Sequence, residues 1–174
     1  MKKTLALLLA LTCAINLVSC GSSSDISSNS EPTTNYIITN KNQFSDVDHW
    51  LSDMWNTLIC DMDSYIRYGT SCTGEEYDIE YAISELKASY KKKDEYNDFI
   101  HSLNINDENN ARLITAWDKL CEQLDILYKK ITSETPKAND ETYEYNTDLC
   151  KQYYSSFEDI EREIKKQKKS SGST

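Results

Sequence analysis

The sequence predicts an all-α protein, an antiparallel up-down four-helix bundle behind an apolar N-terminal segment and a polar tether. Three observations support this fold class. Only 4 Gly and 2 Pro occur among 174 residues, whereas an all-β fold needs turn residues at short, regular intervals. The chain is 39% hydrophobic and 28% charged, which provides enough apolar side chains for a core. Apolar residues also recur every three or four positions in four segments, which is the period of an amphipathic helix.

The first two helices are predicted from apolar stripes on either side of Gly69. The first stripe consists of Phe44, Val47, Leu51, Met54, Leu58, Met62 and Tyr65. Ser45 and Asp48 form a capping box near its start, and Gly69 occupies the position of a glycine just after a helix end. Thr73-Gly74-Glu75-Glu76 is a second capping box. The stripe that follows consists of Ile79, Ala82, Ile83, Leu86, Tyr90, Tyr96, Ile100 and Leu103.

The third and fourth helices are predicted from regular stripes that follow acidic cap residues. Asp107 is the expected N-cap of the third helix, and its stripe consists of Leu113, Trp117, Leu120, Leu124, Leu127 and Ile131. Asp140 is the expected cap of the fourth, with Tyr143, Leu149, Tyr153, Phe157, Ile160 and Ile164. Four segments of similar length with short connections favour antiparallel neighbours in a bundle.

The N-terminus has the pattern of an export signal. Two lysines in residues 1–3 precede an apolar run, residues 4–11, which is short for a membrane span. Leu17-Val18-Ser19-Cys20 follows, with a small residue before the cysteine. This run resembles the lipobox of bacterial lipoproteins. The resemblance implies cleavage between Ser19 and Cys20, a diacylglycerol on Cys20, and a small cell-surface lipoprotein of the Gram-positive type.

Four regions are predicted along the chain. Residues 1–19 form the lipoprotein signal peptide, and residues 20–43 form the lipidated cysteine with a disordered Ser-rich tether. Residues 44–169 form the helical ectodomain, and residues 170–174 form a disordered tail. The tether is inferred from its polar composition, which is typical of flexible linkers. The predicted location is therefore extracytoplasmic, at the cell membrane, through the N-terminal lipid.

Four cysteines remain in the predicted ectodomain: Cys60, Cys72, Cys121 and Cys150. An even number in an exported protein is consistent with two disulfides. Cys121 and Cys150 form the favoured pair, because they lie at matching heights on antiparallel third and fourth helices. Cys72 could fold back to reach Cys60, and Cys60 with Cys150 is a further pairing. Four free thiols are the alternative, and the absence of C-x-x-C spacing argues against zinc.

The two histidines each close an Asp-x-x-His pair, Asp46 with His49 and Asp98 with His101. Carboxylate–histidine pairs at this spacing occur in di-iron helical bundles, where they face the interior. Both pairs here lie well off the apolar stripes, so they are expected to face water. They remain weak candidates for metal ligands, and the sequence predicts no metal site.

The charge balance narrows the function. With 29 Asp and Glu against 19 Lys and Arg, the net charge is −10, which argues against nucleic acid because phosphate binding needs a basic surface. No catalytic triad or glycine-rich phosphate motif is present, so no enzyme is predicted, and no cofactor beyond the diacylglycerol on Cys20.

We therefore predict a membrane-anchored binding module whose partner is a surface protein or a glycan. The candidate contact residues are aromatic side chains that cannot all enter one core: Trp50, Trp55, Tyr68, Tyr77, Tyr81, Tyr128, Tyr145 and Tyr154. One alternative is a metal-binding or metal-dependent bundle. Another is an envelope protein that is structural or excludes phage.

Overall fold

The structure is a computed structural model that describes the backbone of residues 33–171 and the side chains of residues 42–167. The predicted signal peptide, Cys20 and the first part of the predicted tether lie outside the described residues, as does the end of the tail. Every regular element in the described range is helical, and its one β-type pairing is an isolated antiparallel bridge between Thr70 and Glu76. The all-α prediction is confirmed.

Six α-helices and one π-helical segment make up the described chain. They are α1 (Thr33–Met54), the π segment (Trp55–Asp61), α2 (Met62–Tyr68), α3 (Ile79–Tyr90), α4 (Lys93–His101), α5 (Glu108–Ser133) and α6 (Asp148–Ser171). The first predicted helix therefore corresponds to α1, the π segment and α2 together. The second corresponds to α3 and α4, and the third and fourth correspond to α5 and α6.

The first helix begins earlier than predicted. Because α1 starts at Thr33, residues 33–43, which we assigned to the tether, are helical. The capping box predicted at Ser45 and Asp48 is wrong, since the helix runs through both residues. The sequence before Ser45 explains this result: it includes Tyr36-Ile37-Ile38 and contains no Gly or Pro between Thr33 and Ser45 that would interrupt a helix.

The second helix begins later than predicted. α3 starts at Ile79 rather than near Thr73, and the Asp78 carboxylate accepts a hydrogen bond from the Tyr81 amide at 3.0 Å. Asp78 is therefore the N-cap. Thr73 instead lies in a loop, where its hydroxyl is 2.9 Å from that of Ser71.

The fourth helix also begins later and ends later than predicted. Asp140 does not cap it, because its carboxylate accepts hydrogen bonds from the amide (3.1 Å) and the hydroxyl (2.6 Å) of Thr142 and so stabilises a turn. α6 starts at Asp148 and continues to Ser171, so the first two residues of the predicted tail are helical.

Two predicted helix ends are confirmed. Gly69 has a left-handed φ of 75°, and its amide donates to the Tyr65 carbonyl at 2.8 Å, as a glycine just after a helix end should. Asp107 caps α5, because its carboxylate accepts from the amides of Asn109 at 2.9 Å and Asn110 at 3.1 Å.

The apolar stripes meet in one hydrophobic core. α5 packs along α6, while α4 contacts both α1 and α5. The stripe of α5 is buried throughout: Leu113, Trp117, Leu120, Leu124, Leu127 and Ile131. Leu149 was predicted in the stripe of the fourth helix, but it is 52% exposed, whereas Cys150 is 1% exposed. The buried face of α6 therefore runs through Cys150, Phe157 and Ile164 at heptad spacing.

Candidate functional site

The two Asp-x-x-His pairs lie on the surface. All four candidate metal ligands are exposed: Asp46, His49, Asp98 and His101. Nδ1 of His49 lies 2.6 Å from the Ser45 carbonyl, and Nδ1 of His101 lies 2.9 Å from the Asn97 carbonyl. Nε2 of His101 lies 2.9 Å from an Asp118 oxygen. Within residues 42–167 no three His, Cys, Asp or Glu side chains converge as metal ligands, so the structure does not assemble the two pairs into one site.

Cys72 is held against the π segment that carries Cys60. The Cys72 amide donates to Asp61 Oδ1 at 3.0 Å, and the Ser64 hydroxyl donates to the Ser71 carbonyl at 3.0 Å. These two bonds fasten the loop after α2 to the preceding helical turns. A hydrogen bond to the Asp61 carboxylate is the main cause that raises the pKa of the Cys72 thiol, and the charge of Cys60 adds to it.

Cys121 and Cys150 are buried on the adjoining helices α5 and α6. Burial raises the pKa of each thiol to about 12. The charge of Cys150 also acts on Cys121, as that of Cys60 acts on Cys72. These are two of the pairings considered from the sequence. All four thiols are free in the structure, and their oxidation stays a prediction.

An open cleft of about 470 Å³ lies where the end of α2 meets the loop between α5 and α6. We call it the Tyr68 cleft. Its lining residues are Asp63, Ile66, Arg67, Tyr68, Asp140, Glu141, Tyr143 and Tyr145. Tyr68 is 70% exposed, so one large aromatic side chain stands in solvent at the cleft. The cleft therefore combines aromatic rings with carboxylates.

Close packing of the α5–α6 loop on the end of α2 positions the cleft. At Gly69 a Cβ atom would lie 2.8 Å from Nδ2 of Asn139 and 3.3 Å from Cβ of Ala138, so the loop approaches where only glycine fits. Asn139 has a φ of 56°, a left-handed conformation that asparagine tolerates better than most residues. Its amide donates to the Tyr65 carbonyl at 3.4 Å. The left-handed backbone conformations of Gly69 and Asn139 thus allow the α5–α6 loop to lie against the end of α2.

Backbone hydrogen bonds fix the two tyrosines in the cleft wall. The Tyr143 hydroxyl donates to the carbonyls of Glu134 at 2.6 Å and Lys130 at 3.1 Å, sharing its proton between them. The Tyr145 hydroxyl donates to the Leu58 carbonyl at 2.6 Å. Burial raises the pKa of Tyr143 to about 12, so this phenol stays protonated at neutral pH. Both hydroxyls are therefore already bonded to backbone carbonyls, and Tyr143 does not offer a phenolate for chemistry.

Negative charge dominates the cleft. Arg67 is its one basic lining residue, and its Nε lies 2.9 Å from Asp63 Oδ1. Hydrogen bonds from Thr142 lower the pKa of Asp140, so that carboxylate stays ionised. Glu141 is exposed and has no ion pair among the described residues. The cleft thus presents a carboxylate whose charge is not neutralised by a neighbour.

A second groove, of about 300 Å³, lies between α1 and α6. Its two carboxylates nearest the core, Asp48 and Glu161, both pair with Lys165, the first at 3.2 Å. Burial raises the pKa of Glu161, and the Lys165 ammonium opposes that shift. Three carboxylates and two basic side chains line this groove, whereas three carboxylates, one basic side chain and an exposed tyrosine ring line the Tyr68 cleft. The Tyr68 cleft is therefore the stronger candidate for a binding site.

The sequence identified part of this cleft. The prediction that the aromatic residues cannot all enter the core is confirmed, because Tyr68 and Tyr81 are 70% and 65% exposed while Trp50 is only 2% exposed. Asp140 and Glu141 were missed as site residues. Their position after Pro136 in a polar stretch marks a loop, but no local pattern says that this loop packs beside Tyr68.

Comparison of the chain with protein-family models, with curated proteins and with solved structures gave no match. No family, relative or known fold therefore points to an enzymatic activity. Among the described residues, none of the helices has both the length and the hydrophobicity needed to cross a bilayer.

Proposed function

We propose that this protein is a bacterial cell-surface lipoprotein whose helical domain binds a partner outside the cytoplasm. The N-terminal run carries the proposal, because two lysines, an apolar stretch and Leu17-Val18-Ser19-Cys20 follow each other in the order of a lipoprotein signal. Cleavage after Ser19 removes the apolar stretch and leaves Cys20 with a diacylglycerol. Two acyl chains anchor a protein stably, whereas a single chain gives only marginal binding.

We further propose that the helices form an antiparallel up-down four-helix bundle. Its four rods are α1 with the π segment and α2, α3 with α4, α5, and α6. Contacts at the two ends support this arrangement. Near one end, the ring of Phe44 in α1 packs on that of Phe99 in α4 at 5.0 Å, and Asp48 pairs with Lys165 near the end of α6. Near the other, the loop that carries Tyr145 contacts the π segment.

The cleft lies at the opposite end of the first rod from Thr33, where that rod begins. An acylated Cys20 leads through residues 21–32 into the start of α1, whereas the Tyr68 cleft lies at the end of α2. At 1.5 Å per residue a helical rod of this length measures about 50 Å.

The chemistry of the cleft supports binding rather than catalysis. Its lining contains no histidine, cysteine or serine, and its two wall tyrosines already donate to backbone carbonyls. What remains available is an exposed tyrosine ring beside carboxylates. Aromatic side chains with charged neighbours are the usual anchors of protein interfaces.

Fractionation of cells that express two cysteine variants tests the anchor. We expect Cys20→Ser to abolish incorporation of labelled fatty acid and to move the protein out of the fraction that detergent extracts from membranes. Cys13→Ser is the matched control, because this cysteine lies within the predicted signal peptide, and it should leave labelling unchanged. Fatty-acid labelling that persists in Cys20→Ser would rule out the lipoprotein assignment.

Photo-crosslinking at the cell surface tests the binding role. A photoreactive amino acid replaces Tyr68 in one strain and Tyr81, which is similarly exposed, in another. We expect a discrete cross-linked partner from position 68 and none from position 81. Absence of any cross-link, together with altered phage adsorption after deletion of the gene, would instead support the envelope-protein alternative.

A further inference from the structure

We propose that the Tyr68 cleft binds a basic polypeptide segment and takes a lysine or arginine side chain of the partner between its carboxylates and the exposed ring of Tyr68. This proposal rests on the binding role above and names the chemistry of the partner. Three features of the cleft carry it: its charge, its aromatic rings and its size.

The charge of the cleft favours a cation. Three carboxylates line it, those of Asp63, Asp140 and Glu141, against the single guanidinium of Arg67. The charge of Asp148, at the start of α6, also acts on Arg67, which places a fourth carboxylate nearby. Arg67 is already paired with Asp63, and the charge of Lys137 acts on Asp140, so among the described residues four carboxylates face two cations at the cleft. A basic partner is therefore the complement of this surface.

Aromatic rings in this protein already accept ammonium groups, one of them in the cleft wall. Nζ of Lys130 lies 4.4 Å from the centre of the Tyr143 ring and also 3.0 Å from Glu134 Oε2. Lys130 is thus held between the face of a tyrosine ring and a carboxylate. We expect a lysine of the partner to lie in the same way between the ring of Tyr68 and the carboxylate of Glu141, which both line the cleft. Cation–π contacts of this kind contribute about 0.5–1 kcal/mol at exposed sites.

The exposed ring of Tyr68 supplies apolar contact area at the cleft. Tyr68 is 70% exposed, so a partner that covers the cleft removes much of this ring from water. A cleft of about 470 Å³ has room for one or two side chains of an extended segment.

Direct binding of defined peptides to the full-length protein in detergent micelles tests this proposal. The probe is a fluorescent peptide of alternating lysine and serine, compared with the same peptide carrying glutamate in place of lysine and with a neutral N-acetylglucosamine oligosaccharide. We expect the lysine peptide alone to bind, and its affinity to fall at least tenfold on raising salt from about 0.05 M to 0.5 M, because added ions shorten the Debye length.

Matched variants distinguish binding at the cleft from general electrostatic attraction to an acidic protein. Tyr68→Ala and Glu141→Gln should each weaken the lysine peptide about fivefold, the loss that removal of one cation–π or charge contact implies. Tyr81→Ala and Glu122→Gln change side chains of the same type, both exposed and outside the cleft, and should leave affinity unchanged. Circular dichroism of all four variants checks that the fold persists.

Three results would overturn the proposal. The first is equal weakening by Glu141→Gln and Glu122→Gln, which would mean diffuse attraction to an acidic protein. The second is preferential binding of the oligosaccharide, and the third is binding of no probe. None of these results contradicts the proposed function, because a partner cross-linked through position 68 on cells would still identify a binding module, with a non-basic partner.

Discussion

At the scale of single residues, the hydroxyl of Tyr145 compensates for the change of helical pitch in the first rod. The amide of Met62 bonds to the Thr57 carbonyl, five residues back, so the Leu58 carbonyl loses the amide that an α-helix would provide. That carbonyl instead accepts the Tyr145 hydroxyl at 2.6 Å. Tyr145 is 8% exposed, so water has little access to the site. One side chain from the α5–α6 loop thus satisfies a backbone group in the core.

Tyr145→Phe tests this role. Removing the hydroxyl leaves the Leu58 carbonyl buried without a donor, so we expect the free energy of unfolding to fall by about 1–3 kcal/mol. Tyr68→Phe is the control, because Tyr68 is exposed and its hydroxyl makes no hydrogen bond among the described residues. Urea denaturation of both variants measures the difference, and equal stability of the two would contradict the assignment.

Alanine substitutions of Gly69 and Gly74 test how closely the α5–α6 loop packs on the end of α2. Both have left-handed φ values, 75° and 83°, but only Gly69 faces close neighbours. Alanine at either position should cost about 1–2 kcal/mol through backbone strain. Gly69→Ala should cost about 1 kcal/mol more, because its Cβ would displace Asn139. Thermal unfolding compares them, and equal losses would mean that the α5–α6 loop does not rest on α2.

At the scale of elements, the break between α3 and α4 is stabilised from outside. The Trp50 indole donates to the Ser89 carbonyl at 3.1 Å, one residue before the end of α3. The Asp125 carboxylate of α5 accepts from the Tyr90 hydroxyl at 2.7 Å and pairs with the Lys93 ammonium at the start of α4. Side chains of α1 and α5 therefore form hydrogen bonds or ion pairs with residues on both sides of the break, where the three successive lysines of residues 91–93 repel each other.

The sequence predicted the helical regions well and their ends unevenly. Periodicity identified the stripe of α5, and every member of that stripe is buried. The helix ends at Asp107 and Gly69 were predicted correctly because each of these residues forms its hydrogen bond with a neighbour a few positions away. The capping box at Thr73 failed because the loop that contains it is tied to α2 by Ser64, a contact between loop and helix that spacing does not encode. The prediction that Leu149 belongs to the buried stripe was wrong, because the buried face of a helix depends on where the helix starts, and in α6 that face passes through Cys150.

The π segment and the cleft could not be predicted for a related reason. The Leu58 carbonyl of the π segment accepts its hydrogen bond from Tyr145, which lies 87 positions away in the sequence. The cleft depends on residues from α2 and from the α5–α6 loop that meet only in the folded chain. Composition did indicate that exposed aromatic side chains must exist, and Tyr68 was among those named.

The two buried thiols at the contact of α5 and α6 make stability fall at high pH. Burial raises the pKa of Cys121 and Cys150 from 9.0 to about 12, so the folded state holds their protons more tightly than the unfolded state. Their contribution is complete below pH 9 and is lost as pH rises towards 12. Each thiol then lowers the free energy of unfolding by up to about 1.4 kcal/mol per pH unit.

Denaturation under reducing conditions at pH 8.5 and pH 10.5 measures this effect. We expect Cys150→Ala to lose less stability between the two pH values than the unmodified protein, because one titrating group is gone. Tyrosines titrate in the same range, so only the difference between the two proteins reports on the thiol. An identical fall in both proteins would show that Cys150 does not ionise on unfolding in this range.

At the scale of the whole molecule, charge is unevenly distributed along the chain. The net charge of −10 contrasts with a C-terminal segment that carries Lys165, Lys166, Lys168 and Lys169. Carboxylates dominate the Tyr68 cleft, near the end of α2, while Lys165 pairs with Asp48 in the middle of the first rod. The local excess of carboxylates at the cleft favours a basic partner there.

The mass of the mature protein, extracted with detergent from the membranes of its own cells, tests the lipoprotein assignment most directly. We expect a polypeptide that begins at Cys20 and carries a diacylglycerol, so its mass should equal residues 20–174 plus the lipid. Alkaline hydrolysis should then release the acyl chains and shift the mass accordingly. A mature chain that begins at another residue, or one that begins at Cys20 without lipid, would contradict the lipoprotein assignment.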